Sequence, residues 1–426
     1  MVRPFAPPLG LSRRSFLAAP LALTACPASP EAHTDDVALW FTYGGRNREV
    51  LESLVARFND SQARVRVRPV FQGDYYEGLA KLRIALAARA APALSHVVGE
   101  VVPYLAEAGV LEPLDGYPEL RDLDIVPELG QSGTWTGGAQ RAPIALPFNR
   151  STPIAYLNGE LFARAGLAPP TTWGELRTTA RRLTEIRGGR PTRYGFGCPI
   201  DWWFWVALVG QAGGELVERD GRVTLGGEAG VRALELWQTL VRDDRSMKPP
   251  SGRDYNAWEQ TNQDFLAGRV AMIWTSTAFL KYLEENAPFP VLAAPLPGQV
   301  QKAVPTGGTH WVILKSAPLR AKRAASKFLA FMHEERQVIE WATRTGYIPV
   351  TKSAIRSLER SGYYQQHPND RVTIDQLRVA MPWPWSPRLF RLQREVVQPL
   401  LERAVLGNES ARAALDRARA DAAREG

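Results

Sequence analysis

From residue 36 onward the hydrophobic positions alternate between two periods. Val37 to Phe41 is an unbroken apolar run, as a strand buried on both faces requires. Between Asn47 and Gln62 the apolar residues Val50, Leu51, Leu54, Val55 and Phe58 recur at helical spacing. Val65, Val67 and Val70 then fall on a strand whose intervening arginines, Arg64, Arg66 and Arg68, face solvent. Leu79, Leu82 and Leu86 mark the next helix, Leu94 to Val98 a third strand, and Val102 to Ala108 a further helix. This βαβαβ order predicts a parallel, doubly wound sheet with right-handed crossovers.

The order then breaks. Ala145 to Asn158 reads as strand-like across a Pro-Phe-Asn turn, and Thr172-Trp173-Gly174-Glu175 as a capping box that opens a long helix. Val231, Leu234, Trp237 and Val241 form another helical stripe, and Phe265 to Trp274 reads as helix end, glycine turn and strand. Phe289 to Leu296 looks like a strand returning to the first unit. A helix around Lys322 to Met332 and a mainly helical C-terminus follow, with the Ala/Arg-rich tail expected as a frayed helix.

Composition narrows the function classes. A chain of 426 residues, 45% hydrophobic and 23% charged, has room for two or three units with sizeable cores. A mean hydropathy of −0.23 excludes a multi-span membrane protein. Two cysteines, Cys26 and Cys198, cannot build a disulfide scaffold. The five histidines lie too far apart in sequence for a metal-binding pair, so neither metal nor cofactor is expected. The net charge of +8 comes from arginines spread along the whole chain, without a basic block interleaved with stacking aromatics, and no nucleic-acid partner is expected.

The N-terminus carries an address. Ser12-Arg13-Arg14-Ser15-Phe16-Leu17 reads as a twin-arginine signal, and the apolar stretch Leu17 to Ala25 is too short to span a bilayer. Leu23-Thr24-Ala25-Cys26 resembles a lipobox, in which Cys26 is acylated and becomes the new N-terminus. Residues 1–25 are thus expected to be a lipoprotein signal peptide and 26–35 a tether. Removing the leader takes Arg3, Arg13 and Arg14 with it, lowering the formal charge to +5, and leaves Cys198 unpaired. An exported protein is expected, lipid-anchored outside the cytoplasmic membrane or periplasmic.

No nucleophile elbow, phosphate loop, dinucleotide fingerprint or H-E-x-x-H motif occurs, and no carboxylate pair is marked out as a glycosidase acid and base. Thirteen tryptophans stand out instead, with Trp202, Trp203 and Trp205 together and Trp383 and Trp385 between prolines. Flat aromatic faces suit the C–H faces of sugars or a choline-like cation. Core packing is expected for Trp40, Trp237, Trp274 and Trp341, and the Trp202–Trp205 cluster fits pocket and core equally.

Export, lipid anchor, two α/β lobes and Phe265-x-x-Gly268-x-x-Ala271-Met272 resemble the extracellular solute-binding proteins of ABC importers. Pro147-Phe148-Asn149-Arg150-Ser151-Thr152-Pro153, Thr306-Gly307-Gly308 and the run from Thr345 to Lys352 (TGYIPVTK) look like the glycerol-3-phosphate and glycerophosphodiester branch, in the same order from about residue 37 to about residue 400. The resemblance implies an α/β, periplasmic-binding-protein-like fold of two lobes joined by a hinge, with the ligand cleft between them. Its lobes would be 36–150 plus 296–347 and 151–295 plus 348–426. It implies a monomeric binding protein, not an enzyme, that closes on a polyol phosphate, glycerophosphodiester or sugar and hands it to an ABC permease.

Carried over residue by residue, it puts Tyr75 and Glu100 at the pocket rim, Ser151 at the hinge, and Ile200 and Trp203 on an apolar wall. Gly308 would let backbone N–H groups approach the ligand, Tyr347 would donate its hydroxyl, and Arg388 would pair with a phosphate oxygen. Ser276 and Thr277 remain anion donors at a helix start. Phe279, however, stands where the branch has a small hydroxyl residue, which leaves room for a phosphodiester or an uncharged sugar. An exported phosphodiesterase or glycosidase is the alternative from a different class.

Overall fold

A computed structural model describes residues 35–135, 142–218, 222–249, 254–381 and 383–424. The expected leader and Cys26 lie outside them. Asp35–Phe41 (β1) leads through Gly45–Ser61 (α1) to Val65–Phe71 (β2), and β2 leads through Tyr75–Ala87 (α2) to Leu94–Val98 (β3). β1 pairs in parallel with both β2 and β3, the doubly wound start that the alternating pattern predicts. Val50, Leu51, Leu54, Val55 and Phe58 of α1 are all buried, each contributing about 1.5–3 kcal/mol of apolar burial. In β2 the buried Val65 and Val67 alternate with exposed Arg66, which is what a half-covered edge strand requires.

The chain then passes from one sheet to another. Leu146–Ser151 (β4) and Pro153–Asn158 (β5) are separated only by Thr152. After Trp173–Leu183 (α3) come Phe196–Gly197 (β6), Trp202–Gln211 (α4), Met247–Lys248 (β7), Met272–Ser276 (β8), Val291–Ala294 (β9), Gly307–Ile313 (β10), Leu319–Met332 (α5), Glu335–Thr345 (α6) and Leu389–Leu392 (α7). The first sheet has the order β2-β1-β3-β10-β4 and the second β7-β6-β8-β5-β9. β10 runs antiparallel to β3 and β4, and β5 antiparallel to β8 and β9.

Four sequence expectations change here. Pro147-Phe148-Asn149 is not a turn but lies inside β4, all of it buried, and the switch of sheets falls at Thr152. The strand within Phe289–Leu296 pairs with β5 in the second sheet, and the return to the first sheet is β10. At the start of α3, Thr172 caps the Glu175 N–H at 3.1 Å, but the Glu175 carboxylate reaches Thr171 at 2.7 Å rather than closing the box on Thr172. The Ala/Arg-rich tail is no frayed end. Residues Ala411–Arg424 form a helix that buries Ala411, Ala414, Leu415, Ala418 and Ala422, and Arg412 holds Glu228 through two hydrogen bonds of 2.7 Å.

Trp237, Trp274 and Trp341 are buried as expected, and Trp40 is partly covered. Cys198 is fully buried, donates weakly to the Pro199 carbonyl at 3.3 Å, and has its thiol pushed well up by burial and then by Asp201. It is the free cysteine of the described chain. Native protein should therefore show no reaction with a thiol reagent over minutes and one equivalent at this position on unfolding, as followed by mass spectrometry. Rapid labelling of Cys198 in native protein would contradict this placement.

Candidate ligand cleft

The pairing fixes which strand ends meet. Ser151 at the end of β4 lies opposite Gly307 at the start of β10, and Pro153 at the start of β5 lies opposite Ser276 at the end of β8. Both sheets thus turn the carboxyl ends of β3, β4, β6 and β8 toward the Thr152 switch, the edge at which open α/β sheets bind ligands.

From the first sheet, β2 delivers Tyr75 and Tyr76, which start α2 behind the Asp74 cap. β3 delivers Glu100 in a single 3-10 turn, Gly99–Val101. Glu100 is partly exposed, yet its carboxyl is raised to about 7, chiefly by desolvation and also by Asp201, against the pull of its own backbone N–H and of Arg150. From the second sheet, β6 delivers Ile200 and Asp201. Asp201 caps α4 by accepting from the Trp203 N–H at 2.8 Å. Glu100 and Asp201, delivered by different sheets, therefore act on each other as like charges.

Arginines answer them. Arg394, in the π-helical turn Gln393–Val397 after α7, lies 3.6 Å over the Tyr76 ring, a cation–π contact that joins the C-terminal segment to α2. The Tyr76 phenol is raised by burial and by Asp201, while Arg394 pulls it back down. Arg150 in β4 is fully buried, donates to the Gly308 carbonyl at 2.9 Å and to Thr306 Oγ1 at 2.8 Å, and is lowered to about 10 by burial despite Glu100.

The sequence-expected residues divide into three groups. Tyr75, Glu100 and Ser151 stand at the strand ends, and Ser151 is buried with no hydrogen-bond partner for its hydroxyl among the described residues. Trp203 and Ile200 are buried in the second-sheet core, but the Trp203 indole packs closely against Gly307 and donates to the Thr306 carbonyl at 3.4 Å. A Cβ on Gly307 would sit 2.6 Å from that indole. Trp383 donates to the same carbonyl at 2.6 Å and stacks on Trp202 at 5.2 Å. Tyr347 is buried and stacks on Trp341 at 5.6 Å, with Asn149 donating to its hydroxyl at 3.4 Å.

The second group serves the switch itself. The Thr277 hydroxyl accepts from the Thr152 N–H at 3.4 Å, and the Thr277 N–H donates to Thr152 O at 3.1 Å. Ser276 caps the following turn by accepting from the Ala278 N–H at 3.2 Å. Gly308 has φ +88°, and a Cβ there would lie 1.8 Å from Asn149 O, so strand approach at the β10 bulge is what demands glycine. The third group is Arg388 alone, exposed before α7 and without an ion pair among the described residues. The guanidinium that this segment brings to Tyr76 is Arg394.

Four residues escaped sequence reasoning: Tyr76, Arg150, Asp201 and Arg394. A charged residue inside the buried strand run of β4 was the available signal for Arg150. Asp201, immediately before an apolar helical run, carried the signature of a cap.

The chain matches the family profile described as bacterial extracellular solute-binding protein over residues 53–369. It is similar to the sn-glycerol-3-phosphate-binding periplasmic protein UgpB of Pectobacterium atrosepticum, 25% identical over 94% of this chain and 93% of that protein. Among solved structures it is similar to UgpB from Mycobacterium tuberculosis in complex with glycerophosphocholine, with a TM-score of 0.80, 24% identity and coverage of 91% and 97%. It is equally similar to the GacH receptor of Streptomyces glaucescens, solved unliganded and with acarbose, with a TM-score of 0.81, 23% identity and coverage of 92% and 98%. The fold is that of the periplasmic binding proteins.

Proposed function

The chain belongs to the family of bacterial extracellular solute-binding proteins, and on that footing we propose that it captures a glycerol phosphate or glycerophosphodiester by lobe closure and delivers it to an ABC permease. The observation that carries this reading is the electrostatic coupling of Glu100 with Asp201 and Arg150 at the carboxyl ends of the two sheets, with Arg394 seated over the neighbouring Tyr76. Two acids accept from ligand hydroxyls, two guanidiniums balance an anionic phosphate, and the aromatic surface of Trp203, Tyr75 and Tyr347 covers the carbon skeleton. Thr152 and its partners supply the hinge, so that closure excludes water from these groups. The protein works as an exported monomer held by acylated Cys26, and binds without turnover. Resemblance to a glycerol-3-phosphate-binding protein supports the phosphate reading. A receptor for acarbose among the structural neighbours supports a second one, an uncharged sugar or oligosaccharide.

Calorimetry with sn-glycerol 3-phosphate, glycerophosphocholine and maltose separates the two readings, and mass spectrometry of the same mixtures tests for turnover. Saturable heat with a phosphate-bearing compound and no product is the expected result. Product formation would replace a binding protein with an enzyme. In the same titrations Arg394→Ala should weaken a phosphate-bearing ligand about tenfold or more, because its charge sits against the cleft residues. Exposed Arg388 is screened by water, so Arg388→Ala should lose only about 1 kcal/mol or less. The reverse ranking would make Arg388 the phosphate ligand.

A further inference from the structure

Arg150 touches both connections between the two sheets and the segment that follows α6. It belongs to β4, two residues before the Thr152 switch. Its side chain holds Thr306 and Gly308, which end the connection from β9 to β10. Its carbonyl accepts from the Ile348 N–H at 2.9 Å, in the connection that follows α6. Yet its charge is only partly compensated. The side chain is fully buried, both of its hydrogen bonds go to neutral oxygens, its Nε–H has no acceptor, and it forms no ion pair among the described residues.

A buried guanidinium is stable only beside a compensating anion. The neighbour best placed to provide one is Glu100. A Cβ on Gly99, the residue before it, would lie 3.3 Å from Arg150 Nη1, so the Glu100 turn rests on the guanidinium. Glu100 cannot complete the neutralisation, because burial and Asp201 both disfavour its ionised form. His310 beside Arg150 feels the same field, since burial and then Arg150 hold its imidazole neutral. Asp201 and Arg394 act on Tyr76 in opposite directions, and neither compensates Arg150 directly.

We propose that Arg150 is the specificity-determining charge of the cleft, a positioning residue that commits it to an anionic phosphate ester without touching the ligand. This rests on the phosphate reading given above. A phosphate entering the cleft completes the compensation that Glu100 leaves partial, whereas a neutral sugar does not. The groups that share the field of Arg150 are Tyr75 on α2, Glu100 after β3 and His310 on β10, and Asp201 before α4 acts on it only through Glu100.

The test uses full-length protein carrying Arg150→Gln, which removes the charge but keeps neutral donors, and Arg150→Lys, which keeps the charge but loses the fork. Calorimetry with sn-glycerol 3-phosphate, glycerophosphocholine and maltose should show Arg150→Gln losing about tenfold or more for both phosphate compounds and less than about twofold for maltose. Arg150→Lys should stay within about threefold of wild type for all three. Equal losses for every compound, or none for the phosphates, would reduce Arg150 to a structural brace. Wild-type binding of maltose alone would overturn both this assignment and the phosphate reading, leaving solute binding intact. A readout without ligand decides independently: the Glu100 titration, followed by carboxyl NMR and identified with Glu100→Gln, should move up by about one pH unit in Arg150→Gln and return in Arg150→Lys. An unmoved midpoint overturns the proposal whatever the wild type binds. Should Arg150→Gln fail to fold, loss of phosphate affinity in folded Arg150→Lys would do the same.

Discussion

Gly308→Ala should destabilise the protein by about 2–6 kcal/mol. Two costs add at this position. The backbone has φ +88°, where an alanine is strained by about 1–3 kcal/mol. The new Cβ would also lie 1.8 Å from Asn149 O and 2.9 Å from Asn149 C, and overpacking against backbone costs roughly a further 1–3 kcal/mol. Neither contact can relax cheaply. Asn149 is fixed on the other side, where its Oδ1 accepts from the Thr309 N–H at 2.5 Å and from the Thr309 hydroxyl. Gly109→Ala is the control, with φ +66° and nothing within 4 Å of the added carbon, and should lose only about 1–2 kcal/mol. Urea midpoints of the two variants, read by fluorescence and circular dichroism, should differ widely. Similar midpoints would mean that β4 and β10 do not approach as closely as described.

Glu100→Gln should stabilise the protein at pH 8 while weakening its ligand. The Glu100 carboxyl is raised to about 7 in the folded protein, against 4.5 for an unperturbed group, so the native state holds the proton more tightly than the unfolded one. Wild-type stability is accordingly unaffected below about pH 4.5. It falls as the pH rises through the interval up to about 7, and levels off above that. The full penalty is on the order of 3 kcal/mol. Glutamine carries no charge to desolvate and escapes it, so the variant's advantage should be absent at pH 4 and complete at pH 8. The affinity should move the other way, because the amide is a poorer acceptor for ligand hydroxyls than a carboxylate. Equal thermal midpoints for wild type and variant across this range would show that the carboxyl is not held in the strained state described. A group that costs stability and stands where two sheets face each other is what a binding site requires.

Much of the fold was legible in the order of residues. The period of the apolar positions tells which face of an element is buried, and it located β1, α1, β2, α2 and β3 before any contact was known. It does not tell which sheet a strand joins. The strand at Val291–Ala294 has the same apolar character whichever sheet receives it, and only its pairing with β5 decides the matter. The tail misled for a related reason. Alanine buries little by itself, and the helix of residues 411–424 becomes part of the core because Gly230 on the helix beneath lets Leu415 approach.

The candidate site divides in the same way. Sequence determined the family resemblance, which implies Tyr75, Glu100, Ser151 and Trp203 as candidates, and the structure places Tyr75, Glu100 and Ser151 at strand ends and Trp203 in the first turn of α4. Tertiary structure alone made Arg150, Asp201 and Arg394 candidates. Arg150 meets Thr306 across 156 positions of the chain, Asp201 acts on Glu100 from another sheet, and Arg394 reaches Tyr76 from the C-terminal segment. Periodicity is a local property of the chain, set by the helix and strand repeats. Electrostatic compensation is a property of distances in space, and the folding of two sheets around Thr152 is what sets those distances.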